Sequence, residues 1–321
     1  METQTILFLT SAYLNPTKED LRRLKEAYPE IEILIRENAN YNIEDIKKAE
    51  IIVGSPKVKD LKQAKKLKWL QTPSAGCLPY TYPEIYANKD VLLSNASGTY
   101  GNQISDHVLG MIIGFNHNFP LYNKQKREHI WEGFFPKKDL SESTILIVGF
   151  GDIGRHVALK TKALGMKNIV IKRTKIEKPI YVDKLGTTKD LKNYISEADY
   201  ICLTLALTPE TTNLFNDECI SLMRKDSYLI NIARGNLVDE KALIKALKNK
   251  EIAGAGLDVT MKEPLEKENP LWDLDNVILT PHVSGCSLND AKIVFNIFKE
   301  NLQNYLKGNK LRNQVDFETK Y

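Results

Sequence analysis

Cysteine is scarce in this chain, and its few copies are scattered. The four cysteines are Cys77, Cys202, Cys219 and Cys286, and no two of them have Cys-x-x-Cys spacing. This distribution argues against a zinc site and against a disulfide framework, and it suits a reducing compartment. We therefore expect no bound metal, and the expected location is the cytoplasm.

Long apolar runs are also missing. No stretch of the sequence reaches the roughly 20 residues that a membrane-spanning helix needs. The N-terminal segment beginning at Met1 lacks the basic region followed by an apolar run that marks a secretory leader. We expect neither a membrane partner nor secretion.

Charge of one sign is not in excess either. The chain has 45 lysines and arginines against 41 acidic residues, which leaves a net charge of +4. Lysines are interspersed with acids along the whole length, and no basic stripe, helix-turn-helix or zinc-finger pattern is present. We therefore expect no nucleic-acid partner. With 321 residues, 42% of them hydrophobic, the chain is neither fibrous nor disordered and is long enough for two domains.

Short apolar runs alternate with amphipathic segments in the N-terminal third of the chain. The runs that predict strands are Thr5–Leu9, Ile31–Ile35, Glu50–Val53, Leu67–Gln71 and Val91–Ser94. Helical patterns between them include residues 18–28 and 60–67. Strands that alternate with helices predict a parallel sheet.

A second series of short strands follows. It comprises a run from Ile145, then Asn168–Ile171, Ile180–Val182, Tyr200–Leu203, Ser227–Asn231, Gly254–Asp258 and Asn276–Thr280. Strands in this number, with helices in the larger gaps, predict a doubly wound parallel sheet. Two long apolar helices, predicted over residues 103–118 and 288–306, would carry the chain between domains. We predict one domain of residues 1–100 with 284–321 and a second of residues 101–283.

The first strand of the second series runs directly into a glycine-rich turn. Gly149, Gly151 and Gly154 form a Gly-x-Gly-x-x-Gly pattern between that strand and a helix. The glycines permit a tight turn, close approach of the backbone to a pyrophosphate, and close packing of helix on strand. The turn, with Asp152 and Ile153 at the start of the helix, predicts a dinucleotide site at the helix N-terminus.

Four further motifs follow the glycine turn in order. They are Asn-Ile-Ala-Arg-Gly-Asn-Leu-Val-Asp-Glu at 231–240, Gly-Ala-Gly-Leu-Asp-Val at 254–259, Lys-Glu-Pro-Leu at 262–265 and Thr-Pro-His-Val-Ser-Gly at 280–285. In this order and spacing the chain resembles the NAD(P)-dependent D-2-hydroxyacid dehydrogenases over nearly its whole length. The resemblance implies an α/β fold of two doubly wound domains: a flavodoxin-like substrate domain and a Rossmann coenzyme domain. It also implies a homodimer built on the coenzyme domains, and hydride transfer between NAD(P)H and a 2-keto acid to give a D-2-hydroxy acid.

This reaction needs a proton donor and a cation, because hydride transfer leaves negative charge on the former carbonyl oxygen. His282 is the expected acid in reduction and base in oxidation, since an imidazole exchanges a proton near neutral pH. In the resembling family a carboxylate at the position of Glu263 orients the imidazole and favours its protonated form. Arg234, at the carboxyl edge of the sheet, can pair with the substrate carboxylate and reach the keto oxygen.

Each of these three residues also has a purely structural interpretation. His282 can cap or fill a loop, and Arg234 can bridge turn carbonyls. Glu263 can be a solvated charge in the run 262–268, where Glu266 and Glu268 are the other candidate carboxylates.

The substrate carboxylate also needs hydrogen-bond donors. Residues 72–77 resemble the family's substrate loop, and we expect backbone N–H groups of Ser74, Ala75 and Gly76 to bind the acid group. Cys77 stands where the family often has an aliphatic residue. No histidine or other base neighbours it in sequence, so a packing role is expected rather than a nucleophilic one.

Three aromatic residues are candidates for the pocket that receives the substrate side chain. They are Tyr13, Tyr100 and Trp131. Aromatic side chains are more often part of the core than of a pocket, and that alternative applies to all three.

The end of the second strand of the coenzyme domain predicts the cofactor. NAD enzymes of this fold usually place an acidic residue there for the ribose hydroxyls, whereas this chain has Lys172, Arg173 and Thr174. Charge-assisted bonds of roughly 1.5–3 kcal/mol each to a 2′-phosphate would favour NADP(H) by about tenfold to a thousandfold, with NAD(H) still possible. The alternative is a solvated basic hairpin tip.

The resemblance assigns further residues to the cofactor. Asp258 is expected to accept a hydrogen bond from the nicotinamide carboxamide and so to fix which ring face presents its hydride. Leu205, Ala206 and Thr211 belong to a loop expected to lie along the cofactor. Ala233, in the 231–240 motif, is also expected to bind it. Ala206 stands where the family usually has a proline.

We therefore predict an NADPH-preferring reductase of 2-keto acids, with glyoxylate, hydroxypyruvate, pyruvate and bulkier keto acids all open as substrates. One alternative is a phosphoglycerate dehydrogenase, which is less favoured because the sequence ends soon after its last helix and leaves no room for an appended regulatory domain. A second alternative is a dinucleotide-sensing corepressor that binds protein partners, for which longer disordered tails would be expected.

Overall fold

The computed structural model describes residues 4–38, 40–133 and 137–320. The strands in these ranges are β1 (Thr5–Thr10), β2 (Glu32–Glu37), β3 (Ile51–Val53), β4 (Trp69–Gln71), β5 (Leu92–Ser94), β6 (Thr144–Val148), β7 (Lys167–Ile171), β8 (Lys184–Gly186), β9 (Tyr200–Leu203), β10 (Tyr228–Asn231), β11 (Gly254–Leu257) and β12 (Val277–Leu279). The α-helices are α1 (Lys18–Ala27), α2 (Ile43–Lys48), α3 (Gly101–Asn116), α4 (Phe119–Glu128), α5 (Asp152–Ala163), α6 (Leu191–Ile195), α7 (Asp217–Ser221), α8 (Glu240–Lys248) and α9 (Asp290–Leu306). Short 3-10 helices lie at Val58–Gln63, Leu78–Tyr80, Pro83–Ile85, Leu140–Glu142, Thr188–Asp190, Gly235–Leu237 and Pro270–Asp273.

The chain forms two compact units: the first unit is Met1–Thr99 with Ser287–Tyr321, and the second unit is Tyr100–Cys286.

The first unit is built on a five-stranded sheet. Its strands lie in the order β2-β1-β3-β4-β5, and every neighbouring pair is parallel. The interior residues of β1, Ile6 to Leu9, have no exposed surface, as expected for a parallel strand covered on both faces. This strand order is that of flavodoxin-like sheets.

Helix α9 contributes to the core of the first unit from the far end of the sequence. The ring of Phe298 stacks on Trp69 with centroids 5.7 Å apart and meets Phe8 edge-on at 5.0 Å. The amide of Asn301 donates to Gln71 Oε1 over 3.0 Å, and both side chains are fully buried. Because a buried polar group costs free energy unless it is paired, this bond helps to specify how α9 packs against β4.

Side-chain caps define where the first two helices begin. Thr17 Oγ1 accepts from the Asp20 amide over 3.1 Å, and Asp20 Oδ2 accepts from the Thr17 amide over 3.1 Å at the start of α1. Asn42 and Asp45 make the same reciprocal pair at α2. Such capping boxes satisfy amides that a helix start leaves without backbone partners. Helix α2 was not among the predicted elements.

The helix predicted over residues 60–67 is wrong in type and position. A 3-10 helix covers Val58–Gln63, and the amide of Leu67 bonds back to the carbonyl of Ala64 over 3.2 Å. The amide of Lys68 then donates to the carbonyl of Glu50 over 2.8 Å. The chain has to turn into β4 at this point, so the segment forms the short, tight helix rather than an α-helix.

The second unit is built on a seven-stranded sheet. Its strands lie in the order β12-β11-β10-β9-β6-β7-β8, and every neighbouring pair is parallel. The strand order reverses between β6 and β9, as in Rossmann domains, where ligands bind at the carboxyl ends of the strands beside the reversal. Two doubly wound parallel sheets confirm the predicted α/β fold class.

The strand predicted at Ile180–Val182 is wrong. Val182 is buried, but it lies in a turn in which its amide donates to the carbonyl of Pro179 over 3.0 Å. The edge strand β8 follows this turn and pairs with β7. The apolar run beside the proline therefore reflects packing into the core. The backbone pairing with β7 is made instead by β8, whose sequence has no strong apolar pattern.

Helix α3 packs closely against the sheet of the second unit. A Cβ on Gly256 of β11 would lie 2.7 Å from the Met111 sulfur, so a larger residue there would require the Met111 side chain to shift. Val108, Ile112 and Phe115 of the same helix are buried.

Within the described ranges, no helix combines the length and the apolar content needed to cross a bilayer.

Candidate active site

Three predicted site residues follow neighbouring strands of the second unit. Asn231, Leu257 and Leu279 are in register at the ends of β10, β11 and β12. Arg234, Asp258 and His282 come one to three residues after these strand ends. Because the strands are parallel, all three residues emerge at the carboxyl edge of one sheet.

His282 and Glu263 form a direct pair. His282 Nδ1 lies 2.6 Å from Glu263 Oε2, and their side chains are 47% and 38% exposed. The other carboxylate oxygen, Oε1, accepts from the amide of Thr260 over 3.2 Å. A carboxylate only accepts hydrogen bonds, so His282 Nδ1 carries the proton of this bond, and Nε2 is the ring nitrogen that Glu263 does not engage.

The backbone of His282 has an unusual conformation. Its φ is 55°, in the left-handed region that residues other than glycine rarely adopt. Its amide donates to the carbonyl of Asp258 over 2.8 Å and lies 3.1 Å from the carbonyl of Thr280. Left-handed backbone at a non-glycine residue is retained when surrounding contacts enforce it, and these contacts hold the imidazole beside Glu263.

Asp258 is a buried carboxylate bound to the loop that carries His282. Its Oδ1 accepts from Thr280 Oγ1 over 2.6 Å and from the Val283 amide over 2.9 Å. Its Oδ2 accepts from the Ser284 amide over 3.0 Å. Burial acts to raise the pKa of Asp258, but the hydrogen bonds from Ser284, Thr280 and Val283 outweigh it, and the pKa is lowered. The side chain is therefore an ionised acceptor at neutral pH.

Arg234 lies in a turn that packs tightly on the next loop. A Cβ on Gly235 would lie 2.0 Å from the carbonyl carbon of Thr260, so glycine is required for this approach. Asn231 spans the turn: its Oδ1 accepts from the Ala233 amide over 3.1 Å, and its Nδ2 donates to the Arg234 carbonyl over 2.9 Å. Arg234 Nη1 donates to the Ala233 carbonyl over 2.6 Å, and the side chain is partly exposed.

The glycine turn lies at the strand reversal, between β6 and α5. Gly149 has φ 107°, and a Cβ there would lie 2.7 Å from the Leu205 amide nitrogen after β9. A Cβ on Gly154 would lie 2.2 Å from the carbonyl oxygen of Gly149. Gly151 is the residue before α5, and Asp152 and Ile153 form the first turn of that helix. Backbone this close, ending at a helix N-terminus, is suited to a pyrophosphate.

The hydroxyl group of Thr211 makes two hydrogen bonds within the loop after β9. Thr211 Oγ1 donates to the Ala206 carbonyl over 2.8 Å and accepts from the Thr208 amide over 2.7 Å. These bonds give the loop a defined shape although Ala206 replaces the proline usual in the resembling family. Leu205 and Ala206 thus leave β9 directly beside the glycine turn.

Positively charged side chains gather beside the glycine turn. Burial and the positive charges of Arg155 and Arg173 lower the pKa of Lys172, which follows β7. Lys172 Nζ lies 3.5 Å from the carbonyl oxygen of Phe150, and the Arg155 guanidinium lies 5.8 Å from the Phe150 ring centroid. Thr174 is exposed next to them. Cations that repel one another in this way create a favourable position for an anion.

In the first unit, the predicted substrate loop follows β4. The carbonyl of Ser74 accepts from the Ala96 amide over 3.1 Å, and that of Ala75 accepts from Asn95 Nδ2 over 3.1 Å. The carbonyl of Gly76 accepts from Ser74 Oγ over 2.7 Å. These bonds hold the carbonyl side of the loop to its own residues and to the segment after β5.

The remaining sequence candidates differ in their exposure. Tyr13 is 38% exposed in the first unit, whereas Tyr100 is 9% exposed in the second. Trp131 is fully exposed, at 101%. Cys77 is 4% exposed and belongs to the core cluster of the first unit, in keeping with a packing role.

Two residues of this region were missed as individual candidates. Thr280 begins the Thr-Pro-His motif, and its hydroxyl binds Asp258. His107 lies on α3, and its Nε2 is 3.1 Å from Thr280 Oγ1. His107 follows two other polar residues of α3, Ser105 and Asp106, so no sequence signal distinguishes it or indicates its partner.

A glycine-rich turn at the reversal point of a doubly wound sheet is the arrangement of dinucleotide-binding Rossmann domains. Residues 109–284 match the protein family described as "D-isomer specific 2-hydroxyacid dehydrogenase, NAD binding domain". The chain belongs to the D-isomer specific 2-hydroxyacid dehydrogenase family, a family of NAD-dependent oxidoreductases, which confirms the resemblance carried by the motifs.

Comparison with individual proteins gives the same result. The chain is 31% identical over 309 residues to a D-3-phosphoglycerate dehydrogenase of Methanocaldococcus jannaschii, covering 94% of this chain and 58% of that protein. It is 34% identical over 229 residues to a glyoxylate reductase of Pyrococcus furiosus, covering 68% of this chain and 67% of that protein. A crystal structure of a D-isomer specific 2-hydroxyacid dehydrogenase from Xanthobacter autotrophicus Py2, in complex with NADPH and MES, is 25% identical, with a TM-score of 0.83 and coverage of 99% and 100%. The chain thus spans little more than half the length of the phosphoglycerate dehydrogenase it matches.

Proposed function

We propose that this protein reduces small 2-keto acids to D-2-hydroxy acids, with NADPH as the preferred reductant. The observation that carries the proposal is the His282–Glu263 pair, 2.6 Å apart at the carboxyl edge of the sheet that also carries Arg234 and the glycine turn. Membership of the family and similarity to a glyoxylate reductase support a small keto acid as substrate.

The residues of the second unit fit a dinucleotide. Gly149 and Gly154 leave no room for side chains at the strand reversal, and Asp152 and Ile153 begin a helix whose first amides lack backbone partners. We assign Leu205, Ala206, Thr211 and Ala233 to the walls of this site. A bound nicotinamide supplies the hydride.

Each catalytic side chain then has one task. The guanidinium of Arg234 binds the substrate carboxylate and lies toward the keto oxygen, where it stabilises the charge that develops there. His282 Nε2 gives its proton to that oxygen, and Glu263 stabilises the ring by accepting from Nδ1. In the first unit, backbone N–H groups of Ser74, Ala75 and Gly76 are the further donors that we assign to the substrate carboxylate.

The preference for NADPH rests on charge. No acidic residue stands among the five residues directly after β7, at 172–176, and Lys172 already experiences the positive charges of Arg155 and Arg173. A 2′-phosphate would relieve that repulsion and could accept a hydrogen bond from the hydroxyl of Thr174. The Xanthobacter relative was crystallised with NADPH, which is consistent with this choice.

Initial rates with NADPH and with NADH, across glyoxylate, hydroxypyruvate, pyruvate, phenylpyruvate and 3-phosphohydroxypyruvate, test the proposal. We expect turnover of an unphosphorylated acid, with kcat/KM for NADPH at least about tenfold above that for NADH. A preference for 3-phosphohydroxypyruvate would instead identify a phosphoglycerate dehydrogenase. Coenzyme binding without turnover of any acid would favour the sensing role.

The variant Arg173→Glu tests how the cofactor is selected. The new carboxylate repels a 2′-phosphate and can accept from ribose hydroxyls, so we expect the NADPH preference to fall by about tenfold or more. Lys175→Glu makes the same charge change in the same exposed segment and is the matched control. Equal effects of the two changes would show that the segment is only a solvated basic tip.

We further infer that the protein is a homodimer. Apolar side chains are exposed along α4 and just after it: Phe119 is 53% exposed, Ile130 41% and Trp131 101%. We infer that these side chains belong to one apolar patch, which is typical of a protein contact. Sedimentation should give twice the chain mass, and Trp131→Glu should shift the mass toward the monomer. Trp272→Glu, which alters another exposed tryptophan (55%), should not. A monomeric parent protein would refute the inference.

A further inference from the structure

A chain of hydrogen bonds runs from α3 to the loop of the imidazole. His107 Nε2 lies 3.1 Å from Thr280 Oγ1, and Thr280 Oγ1 lies 2.6 Å from Asp258 Oδ1. The side chain of Asp258 has no exposed surface, and that of His107 is 23% exposed. All three residues belong to the second unit.

The protons of this chain can be assigned from its chemistry. Asp258 is ionised at neutral pH, because its hydrogen bonds lower its pKa despite burial. A carboxylate only accepts hydrogen bonds, so the Thr280 hydroxyl donates its one proton to the bond with Asp258. The Thr280 oxygen is then the acceptor for His107, which must carry a proton on Nε2. The bonds therefore run in one direction, from His107 through Thr280 to Asp258.

This chain ends on the peptide groups that flank His282. The Asp258 carboxylate accepts from the amides of Val283 and Ser284, on the C-terminal side of His282, while Thr280 is two residues on its N-terminal side. Between these contacts His282 has φ 55°. The Asp258 carboxylate thus binds residues on both sides of His282, whose backbone conformation is intrinsically unfavourable.

We propose that His107 and Thr280 are positioning residues for His282, holding the Asp258 carboxylate against the loop so that the imidazole meets Glu263. This rests on the proposed function, in which His282 transfers the proton. It gives Asp258 a task in addition to the expected contact with the nicotinamide carboxamide. Neither His107 nor Thr280 touches the reacting atoms in this assignment, so their loss should affect turnover through the position of His282.

Thr280→Val tests the central bond, because valine keeps the shape of threonine and removes the hydroxyl. We expect kcat for keto-acid reduction to fall about 10- to 100-fold, as for the loss of a buried hydrogen bond to a charge, while KM for the keto acid and the Kd for NADPH change less than about threefold. Thr280→Ser restores the hydroxyl and should recover kcat to within about threefold of the parent. A structural role alone would not give this split between kcat and KM together with rescue by serine.

His107 provides a second test should Thr280→Val fail to fold. His107→Leu should lower kcat about 3- to 10-fold, and His107→Gln, which keeps an N–H donor on its side chain, should lower it less. The matched control is His117→Leu, which removes a histidine that follows the same helix and contacts Lys137. We expect that control to retain the parent kcat.

Proton NMR of the His282 Nδ1–H gives a readout that does not depend on turnover. The signal is assigned by its loss in His282→Asn, and we expect it to shift or broaden in Thr280→Val and to persist in Thr280→Ser and His117→Leu. Parent kcat and an unchanged signal in folded Thr280→Val and His107→Leu would overturn the positioning role. If His282→Asn itself retains parent turnover, the proposed mechanism fails instead, and the two failures are thereby distinguished.

Discussion

His282→Asn is expected to lower kcat for keto-acid reduction by about 10²- to 10⁴-fold, the usual contribution of a positioned general acid. Asparagine is the sharper choice than alanine because it tolerates the left-handed backbone, and His282 has φ 55°. The side-chain amide cannot act as the acid. The variant therefore keeps the conformation of the loop and loses the proton donor. Steady-state rates measure kcat, and fluorescence titration should show NADPH affinity unchanged within about twofold.

Two companion variants sharpen this result. Glu263→Gln keeps a side-chain oxygen near His282 Nδ1 but removes the charge that stabilises the imidazolium, so an intermediate loss is expected. His117→Asn makes the same substitution at the end of α3, away from the carboxyl edge of the sheet, and should retain parent activity. Unchanged turnover in His282→Asn would remove His282 from the mechanism and would support its alternative role as a loop residue.

Arg234→Gln is expected to raise KM for the keto acid by about 10- to 1,000-fold and to lower kcat as well. Glutamine can still donate a hydrogen bond, but it has neither the charge nor the two-pronged geometry that a guanidinium offers to a carboxylate. Loss of roughly 1.5–4 kcal/mol, which corresponds to one charge-assisted bond or two weaker ones, gives this range. Initial rates over a range of keto-acid concentrations at saturating NADPH measure both constants.

The control for this change is Arg224→Gln. Arg224 pairs with Asp226 over 2.6 Å just before β10, at the opposite end of the strand from Arg234. We expect the control to leave KM unchanged. If Arg234→Gln also leaves KM unchanged, its bond to the Ala233 carbonyl at 2.6 Å is its main contribution, and the arginine is a turn residue.

The strands were the most predictable part of the fold. Buried parallel strands such as β6 and β9 are continuous apolar runs, and their predicted positions agree with the structure to within a residue or two. Edge strand β8 was misplaced because its sequence, Lys-Leu-Gly, has no such run. Helix α2 was missed because only six residues form it, too few for a clear helical period.

The site was predictable where it follows local motifs. Gly149 and Gly154 belong to a short pattern whose chemistry can be read from neighbouring residues, whereas the pairing of Glu263 with His282 was expected from the resemblance to the family. The contact between His107 and Thr280 joins residues 173 positions apart, and no local pattern encodes it. Gly235 likewise stands in a recognised motif, but only the structure shows that Thr260 excludes a side chain there.

The first unit is discontinuous in sequence, and this sets an order for biosynthesis. Residues before Thr99 need α9, whose Phe298 and Asn301 complete the packing around Trp69 and Gln71. Tyr100–Cys286 needs no other segment for its own sheet. During translation from the N-terminus, domains fold as their segments emerge. The N-terminal segment, although synthesised first, therefore lacks part of its core until α9 has been made. The second unit, synthesised after it, can fold earlier.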